Sequence, residues 1–248
     1  MKVFERLMLQ HLRPLVRDHI DPLQFAYQPR LGVEDAIIFM LHRAYLHLER
    51  AGSMVRIMFF DFSGAFYIIQ PLLLARKLSV MQVDQDIVAI TDYLTDRLKF
   101  VHLQSSRSDV AVSNTGSPQG TVLSPFLFTL YTSDFRHNSG TCHLQKFADD
   151  SSIMGYITAD NYEEYSGLVQ SFVRWSEANY MQLNTSKTKE LVVEFRGNKK
   201  PLTPITIQGN EGRWWRRTSI WACTSTTNWA GQTTQRPYTK KDSADCSS

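Results

Sequence analysis

An apolar run that ends in an aspartate constrains this 248-residue chain more than any other feature. Residues 54–60 are apolar apart from Arg56, and so continuous a run predicts a buried strand rather than one with a solvated face. The next residue is Asp61, so the strand delivers a carboxylate to its own C-terminal end. The fold must therefore contain a sheet in which the carboxylate of Asp61, at the end of a buried strand, is either solvated or used in binding.

A second acidic site lies at the tip of a predicted hairpin. Apolar segments at 142–147 and 152–156 predict two strands, and Asp149-Asp150 lies in the turn between them. If these strands neighbour the one before Asp61, three carboxylates converge. Such carboxylates are costly unless they are paired or bound to cations, and they suit two Mg²⁺ ions. The alternative is a strand-end Asp61 and an ordinary turn, where Asp is common.

Composition and periodicity predict a globular α+β chain. Hydrophobic residues make up 43% and charged residues 21%, which is enough apolar mass for a core. Three scattered cysteines favour neither a zinc site nor a disulfide framework. Apolar runs too short for a bilayer and a start without a signal-peptide pattern predict an intracellular protein, nuclear or cytoplasmic, with no membrane partner. Helices are predicted over 33–50, 65–80 (interrupted at Pro71), 86–98 and 121–135, and a second hairpin pairs 100–103 with 110–112.

Three short motifs follow one another along the chain. They are FFDFSGAF at 59–66, GSPQGTVLSP at 116–125 and FADD at 147–150. In this order they resemble the first palm motif, the nucleotide-pocket motif and the second metal motif of reverse transcriptases from non-LTR (LINE-type) retrotransposons. Similar flanking segments lie at 21–29, 34–36, 175 and 183–190. The resemblance covers residues 1–210 and implies a right-hand polymerase palm, an antiparallel sheet backed by helices.

The resemblance implies catalytic roles for four residues. Asp61 and Asp149 would bind two Mg²⁺ ions, with Asp150 assisting, and Lys187 would be the general acid for the pyrophosphate leaving group. The alternative for Lys187 is a solvated surface lysine.

The resemblance also implies five substrate-binding residues. Phe66 takes the position of the family's sugar gate, where a bulky ring would clash with a 2′-hydroxyl; the alternative is a core residue. Gln119 would contact the incoming nucleotide, and Gly120 would let the backbone approach it. Phe62 and Pro118 complete this set, and the alternative for Pro118, Gln119 and Gly120 is a simple turn.

The implied function is RNA-directed DNA synthesis, in which a primer 3′-hydroxyl attacks the α-phosphate of a dNTP. The expected partners are an RNA template, a DNA primer and dNTPs, and Arg30 would meet template or triphosphate unless it is only a surface arginine. The alternative from another class is an inactive retrotransposon relic with weak nucleic-acid binding. A two-metal nuclease fits less well because the loop at 118–120 and Phe66 have no role in it.

Departures from the family pattern define the expected domains. We expect partial fingers over 1–50, the palm over 51–210, and over 211–248 a disordered tail in place of an intact thumb. Finger strands and an endonuclease domain, which family members carry upstream, are expected to be missing. Tyr67-Ile68 replaces the family's Asn-Thr after Phe66.

The tail differs in composition from the rest of the chain. Residues 211–248 lack Leu, Val, Phe and Met and hold four of the five Trp residues. Codons can be chosen so that a shifted frame encodes a family-like segment, which leads to the hypothesis of a frameshift near 210–213 that transcript sequencing would test. The formal net charge of +3 lies wholly in this tail, so it does not indicate nucleic-acid binding by residues 1–210.

Overall fold

In the part of the chain that the structure describes, four α-helices lie within the first 95 residues, and two more lie between residues 123 and 178. A computed structural model describes residues 2–104, 106–118, 120–195, 203–211 and 213–217. The α-helices in these ranges are α1 (Lys2–Leu15), α2 (Val33–Leu48), α3 (Pro71–Val80), α4 (Asp84–Leu94), α5 (Leu123–Tyr131) and α6 (Glu163–Ala178). Short 3₁₀-helices lie at Arg17–His19 and Ala65–Tyr67. Every helix within the described ranges is too short or too polar to cross a membrane.

A mainly antiparallel sheet forms the centre of the molecule. The strands are β1 (Met54–Phe60), β2 (Arg97–Lys99), β3 (His102–Leu103), β4 (Ser106–Arg107), β5 (Ala111–Ser113), β6 (Cys142–Phe147), β7 (Asp150–Ile157), β8 (Lys189–Glu194), β9 (Thr206–Ile207), β10 (Asn210–Glu211) and β11 (Arg213–Arg217). Five of them form one sheet in the order β11-β8-β1-β7-β6. The predicted α+β class is therefore confirmed, with β1 as the central strand.

Strand β1 is covered on both faces, as its continuous apolar run predicts. Val55 and Ile57 pack with α2 in a small core, whereas Met58 and Phe60 belong to the main core that α6 covers. Successive side chains of a strand point to opposite faces, so two cores require apolar residues at almost every position. This double burial fixes the strand that ends at Asp61.

Local signals explain where α2 and α3 begin. The Asp35 carboxylate accepts a hydrogen bond from the Gly32 amide at 2.7 Å, which caps α2. Pro71 occupies the first turn of α3, where its missing N–H is not needed. The prediction of a helix over 65–80 with an interruption at Pro71 is therefore confirmed from Pro71 onward, whereas residues 65–70 form a 3₁₀ turn and a connection.

The second predicted hairpin is wrong in its pairing. Strand β2 pairs with β5, and β3 pairs with β4 inside that loop, while α4 ends at Leu94 instead of continuing to 98. Leu98, Leu103 and Val112 are all exposed. With no buried face, the side-chain pattern does not determine the register.

Part of the predicted disordered tail forms a strand. Strand β11 pairs in parallel with β8, with Arg213 opposite Lys189. Edge pairing uses backbone groups and does not need the aliphatic side chains that this segment lacks. Residues 218–248 lie outside the described residues, so disorder there stays a prediction.

Candidate active site

The two acidic sites meet at one end of the sheet. Strand β1 lies beside β7, and Phe60 pairs with Ser151, so Asp61 follows β1 where β7 begins at Asp150. In the β6–β7 hairpin Phe147 pairs with Asp150, which leaves Ala148 and Asp149 as the turn. The strands that carry the acidic residues are thus neighbours, which meets the condition set for the three carboxylates to converge.

Burial and neighbouring negative charge act on the carboxylates of Asp149 and Asp150. Burial, followed by the charges of Asp149 and Asp61, raises the pKa of Asp150 to about 6. Burial also raises the pKa of Asp149, opposed by a backbone hydrogen bond and reinforced by the charge of Asp61. Like charges held together in this way favour either a proton or a bound cation.

The donor chemistry of this cluster fits magnesium. Asp61, Asp149 and Asp150 supply hard carboxylate oxygens. Burial, with neighbouring negative charge, raises the pKa of Asp149 and Asp150, and a divalent ion would offset both effects. Among the residues that the structure describes, no three His, Cys, Asp or Glu side chains are arranged to hold a metal ion as they stand. Magnesium binding therefore stays a prediction, supported by the ligand type.

Lys187 lies at the edge of the same cluster. Its Nζ is 3.8 Å from Oδ2 of Asp61, with the two side chains 68% and 34% exposed. The preceding chain is fixed by β-like pairing, in which the Asn184 amide donates to the Asp61 carbonyl at 2.8 Å and the Ser63 amide to the Gln182 carbonyl at 2.9 Å. An exposed lysine is thus anchored within reach of the acidic edge.

The nucleotide-pocket motif packs directly on the segment that contains Phe66. The Ser117 amide donates to the Phe66 carbonyl at 2.8 Å, and the Gly116 amide donates to Ile69 at 2.7 Å. A Cβ on Gly116 would lie 2.6 Å from backbone atoms of Tyr67, so only glycine fits here. The first and second motifs of the sequence therefore form one unit.

The remaining predicted substrate residues differ in their surroundings. Phe66 is half-buried, and its ring centroid is 5.0 Å from that of Phe128. The Pro118 carbonyl accepts hydrogen bonds from hydroxyls at the start of α5, and Gly120 is exposed with φ +72°. Gln119 lies outside the described residues. The Phe62 ring is 7% exposed and packs on Phe172, so this side chain contributes to the core.

A basic cleft of about 1010 Å³ lies between α1 and residues 20–31. The ends of segment 20–31 line the cleft, and Gln24 in its middle hydrogen-bonds to Ala148 in the β6–β7 turn. The sequence analysis missed the cleft, although Arg6 and Arg13 are seven positions apart and so lie on one face of α1, with Arg17 in the 3₁₀-helix that follows. Its cationic lining consists of Arg6, Arg13, Arg17 and Arg30.

Comparison with known proteins gives consistent results. The family described as "Reverse transcriptase (RNA-dependent DNA polymerase)" matches residues 1–233. The RNA-directed DNA polymerase from mobile element jockey of Drosophila funebris is 26% identical over 227 residues, covering 84% of this chain and 24% of that protein. The protein of the same name from Drosophila melanogaster is 22% identical over 214 residues, covering 81% and 23%. The chain thus spans about a quarter of the length of these relatives.

Solved structures agree on the fold. Telomerase from Candida tropicalis, in complex with the TWJ fragment of telomeric RNA, matches with a TM-score of 0.56 at 13% identity, covering 85% of this chain and 35% of that one. Telomerase from Candida albicans, in complex with the same type of fragment, matches at 0.55 and 15%, covering 85% and 36%. These likenesses confirm the predicted palm-type fold. By the family match over residues 1–233 and the two jockey relatives, the chain belongs to the reverse transcriptase family, as a domain of the kind found in non-LTR retrotransposons.

Proposed function

We propose that this chain is the catalytic domain of an RNA-directed DNA polymerase that extends a DNA primer on an RNA template by two-metal phosphoryl transfer. The convergence of Asp61 and Asp149, brought together by neighbouring strands of one sheet, carries the proposal. The chemistry of the reaction supports the proposal, because phosphoryl transfer depends on positioning and charge stabilisation rather than on a protein nucleophile.

In this proposal the acidic edge holds two magnesium ions. Asp61 and Asp149 bind both, and Asp150 assists. When bound, the ions would activate the primer hydroxyl and stabilise charge on the leaving phosphate oxygens. The raised pKa of Asp150 supports the assignment, because a cluster that is poorly stable when fully charged gains most from a cation.

Substrate selection is assigned to the unit formed by Phe66 and the 116–120 loop. The Phe66 ring packs against Phe128, and the Phe66 backbone carbonyl accepts a hydrogen bond from the Ser117 amide. These contacts restrict movement of the ring away from a 2′-hydroxyl. This rigidity supports a sugar gate that favours deoxynucleotides. Gln119 and Gly120 would face the nucleotide from the same loop.

Lys187 is assigned as the proton donor to pyrophosphate. Its exposure leaves the ammonium free to reorient, and an exposed ion pair at 3.8 Å is weak enough to be exchanged for a phosphate contact. A lysine in this place can neutralise leaving-group charge whether or not the proton is fully transferred.

The arginine-lined cleft is assigned to the nucleic-acid backbone. Phosphate groups bind arginine through paired hydrogen bonds and charge. Segment 20–31 lines this cleft, and its Gln24 hydrogen-bonds to Ala148 in the turn that carries Asp149, so a bound strand would run close to the acidic edge.

A primer-extension assay tests the proposal. The purified chain is incubated with an RNA template, an annealed DNA primer, dNTPs and Mg²⁺, beside an Asp149→Asn variant. We expect extension that the variant reduces at least about 100-fold, because it loses a metal-binding charge while keeping its shape. Asp109→Asn, which removes an exposed carboxylate in the β4–β5 connection, is the matched control and should extend normally.

Two results would count against the proposal. Absence of extension by the wild-type chain under all metal conditions would support the inactive-relic alternative. Equal extension by wild type and Asp149→Asn would exclude the proposed metal edge as the catalytic site.

A further inference from the structure

The turn that carries Asp149 has an unfavourable backbone conformation. Ala148 has φ +57°, a left-handed value that L-residues rarely adopt, whereas Asp149 does not have positive φ. A two-residue hairpin loop with positive φ only at its first position follows the type II′ pattern, which favours glycine there. Alanine at this position therefore needs support from elsewhere.

The side chain of Gln24 supplies that support. Its Oε1 accepts a hydrogen bond from the Ala148 amide at 3.0 Å, and its Nε2 donates to the Ala148 carbonyl at 3.1 Å. The same Oε1 also accepts from the Ala26 amide at 3.1 Å. Gln24 is 1% exposed, so water cannot readily replace these bonds.

The segment around Gln24 is itself fixed to β6. Lys146 Nζ is 2.8 Å from Asp21 Oδ2, and this pair is almost fully buried. The Lys146 amide donates to the Leu23 carbonyl at 2.8 Å, and the Phe25 amide donates to the Lys146 carbonyl at 2.9 Å. These contacts fix the position of Gln24 relative to the turn independently of its own hydrogen bonds to Ala148.

We propose that Gln24 is a positioning residue that sets the orientation of Asp149 by holding both backbone hydrogen-bonding groups of Ala148. A turn without this clamp would relax toward conformations that alanine prefers, and the carboxylate that follows would lose its fixed direction. The inference rests on the proposed function only in that Asp149 is taken as a metal ligand.

The test compares two glutamine-to-methionine variants. Gln24→Met keeps the shape of the side chain but removes its three hydrogen bonds. Gln145→Met is the matched control, since Gln145 is also buried and donates to the Ala36 carbonyl at 3.1 Å, away from the turn. The readouts are hydrogen exchange of the Ala148 amide and Mn²⁺ binding followed by electron paramagnetic resonance, with Mn²⁺ replacing Mg²⁺.

We expect Gln24→Met alone to speed exchange of the Ala148 amide about tenfold or more and to weaken Mn²⁺ binding about tenfold. In primer extension, kcat should fall and the Mg²⁺ requirement rise, with little change in KM for dNTP. Wild-type exchange and wild-type Mn²⁺ affinity in Gln24→Met would overturn the inference.

A second substitution protects the test against a folding failure. Glycine accepts positive φ freely, so Ala148→Gly should restore folding and part of the Mn²⁺ affinity in the Gln24→Met background, but not in Gln145→Met. Failure of this rescue would also reject the proposal. If the wild-type chain neither binds Mn²⁺ nor extends a primer, the proposed function fails, while Ala148 exchange still decides whether Gln24 holds the turn.

Discussion

At the residue scale, the site depends on close backbone contacts that few side chains permit. Gly116→Ala should lower the free energy of unfolding by about 2–4 kcal/mol, because its Cβ would lie 2.6 Å from the Tyr67 backbone at φ +70°. Gly120→Ala is the matched control: φ is +72°, but nothing lies within 4 Å, so it should cost about 1 kcal/mol. Urea unfolding measures both, and equal losses would show that backbone conformation, not the contact, dominates.

A buried histidine makes stability depend on pH. Burial, with the charge of Arg43, lowers the pKa of His143 from 6.5 to about 4. Between pH 6.5 and pH 4 the His143 side chain binds a proton more readily in the unfolded chain than in the folded one. The stability that comes from keeping His143 neutral is therefore fully present above pH 6.5 and is lost as the pH falls toward 4. The expected loss between pH 7 and pH 5 is about 2 kcal/mol.

Two glutamine variants check this pH dependence. His143→Gln should flatten the dependence of the unfolding free energy on pH between 6.5 and 4, because it removes the titrating group. The exposed His42 is the control, and His42→Gln should keep the wild-type slope. An unchanged slope in His143→Gln would contradict the prediction.

At the element scale, a buried ion pair joins β1 to β8. Arg56 donates to both carboxylate oxygens of Glu190, at 2.7 and 2.9 Å, and both side chains are almost fully buried. Arg56→Met alone should destabilise the fold by about 3–5 kcal/mol, since it leaves an unpaired buried carboxylate. Arg56→Met combined with Glu190→Met should recover most of that loss, which a double-mutant cycle by urea unfolding measures. Additive losses would mean that the pair contributes no coupling.

The same elements show what the sequence can predict. Strand β1 has its predicted bounds, Met54–Phe60, because double burial leaves a continuous apolar pattern. The predicted pairing of 100–103 with 110–112 is wrong because the residues of this region are exposed and carry no such apolar pattern. Strand β11 pairs with β8 through backbone groups, and side-chain composition alone could not predict such pairing.

Predictability within the site follows the same division. Asp61 and Asp149 could be assigned to strand ends because the apolar pattern reveals both strands, and the order of the three motifs then favoured a shared site. The clamp of Gln24 on Ala148 could not be predicted, because it joins a side chain to a backbone group 124 positions away. Contacts of this kind leave no periodic signal and depend on tertiary geometry.

At the scale of the whole molecule, the arginine-lined cleft predicts how RNA binding depends on salt. Arg6→Ala and Arg17→Ala should each weaken binding of a labelled single-stranded RNA and reduce the slope of log affinity against log salt by about 0.7. Both residues are exposed and line the cleft. Fluorescence anisotropy from about 50 to about 200 mM salt measures this slope.

An arginine outside the cleft provides the control. Arg174 is exposed on α6 and does not line the cleft, so Arg174→Ala should leave affinity and slope unchanged. If all three variants reduced the slope equally, RNA binding would depend on overall charge and not on this surface.

Hydrogen bonds that tie residues 1–26 to the acidic edge and to the nucleotide-pocket motif also constrain the order of folding. The Gln24–Ala148 bonds, the Asp21–Lys146 pair and the bond from the Val122 amide to Glu5 each join residues 117 or more positions apart. Closing such long loops costs chain entropy before the contacts repay it, which slows folding. During synthesis, residues 1–26 must leave the ribosome well before their partners exist. The turn that carries Asp149 can therefore mature only late, after the hairpin at 142–157 has emerged and docked on the segment around Gln24, which is synthesised 124 positions earlier than Ala148.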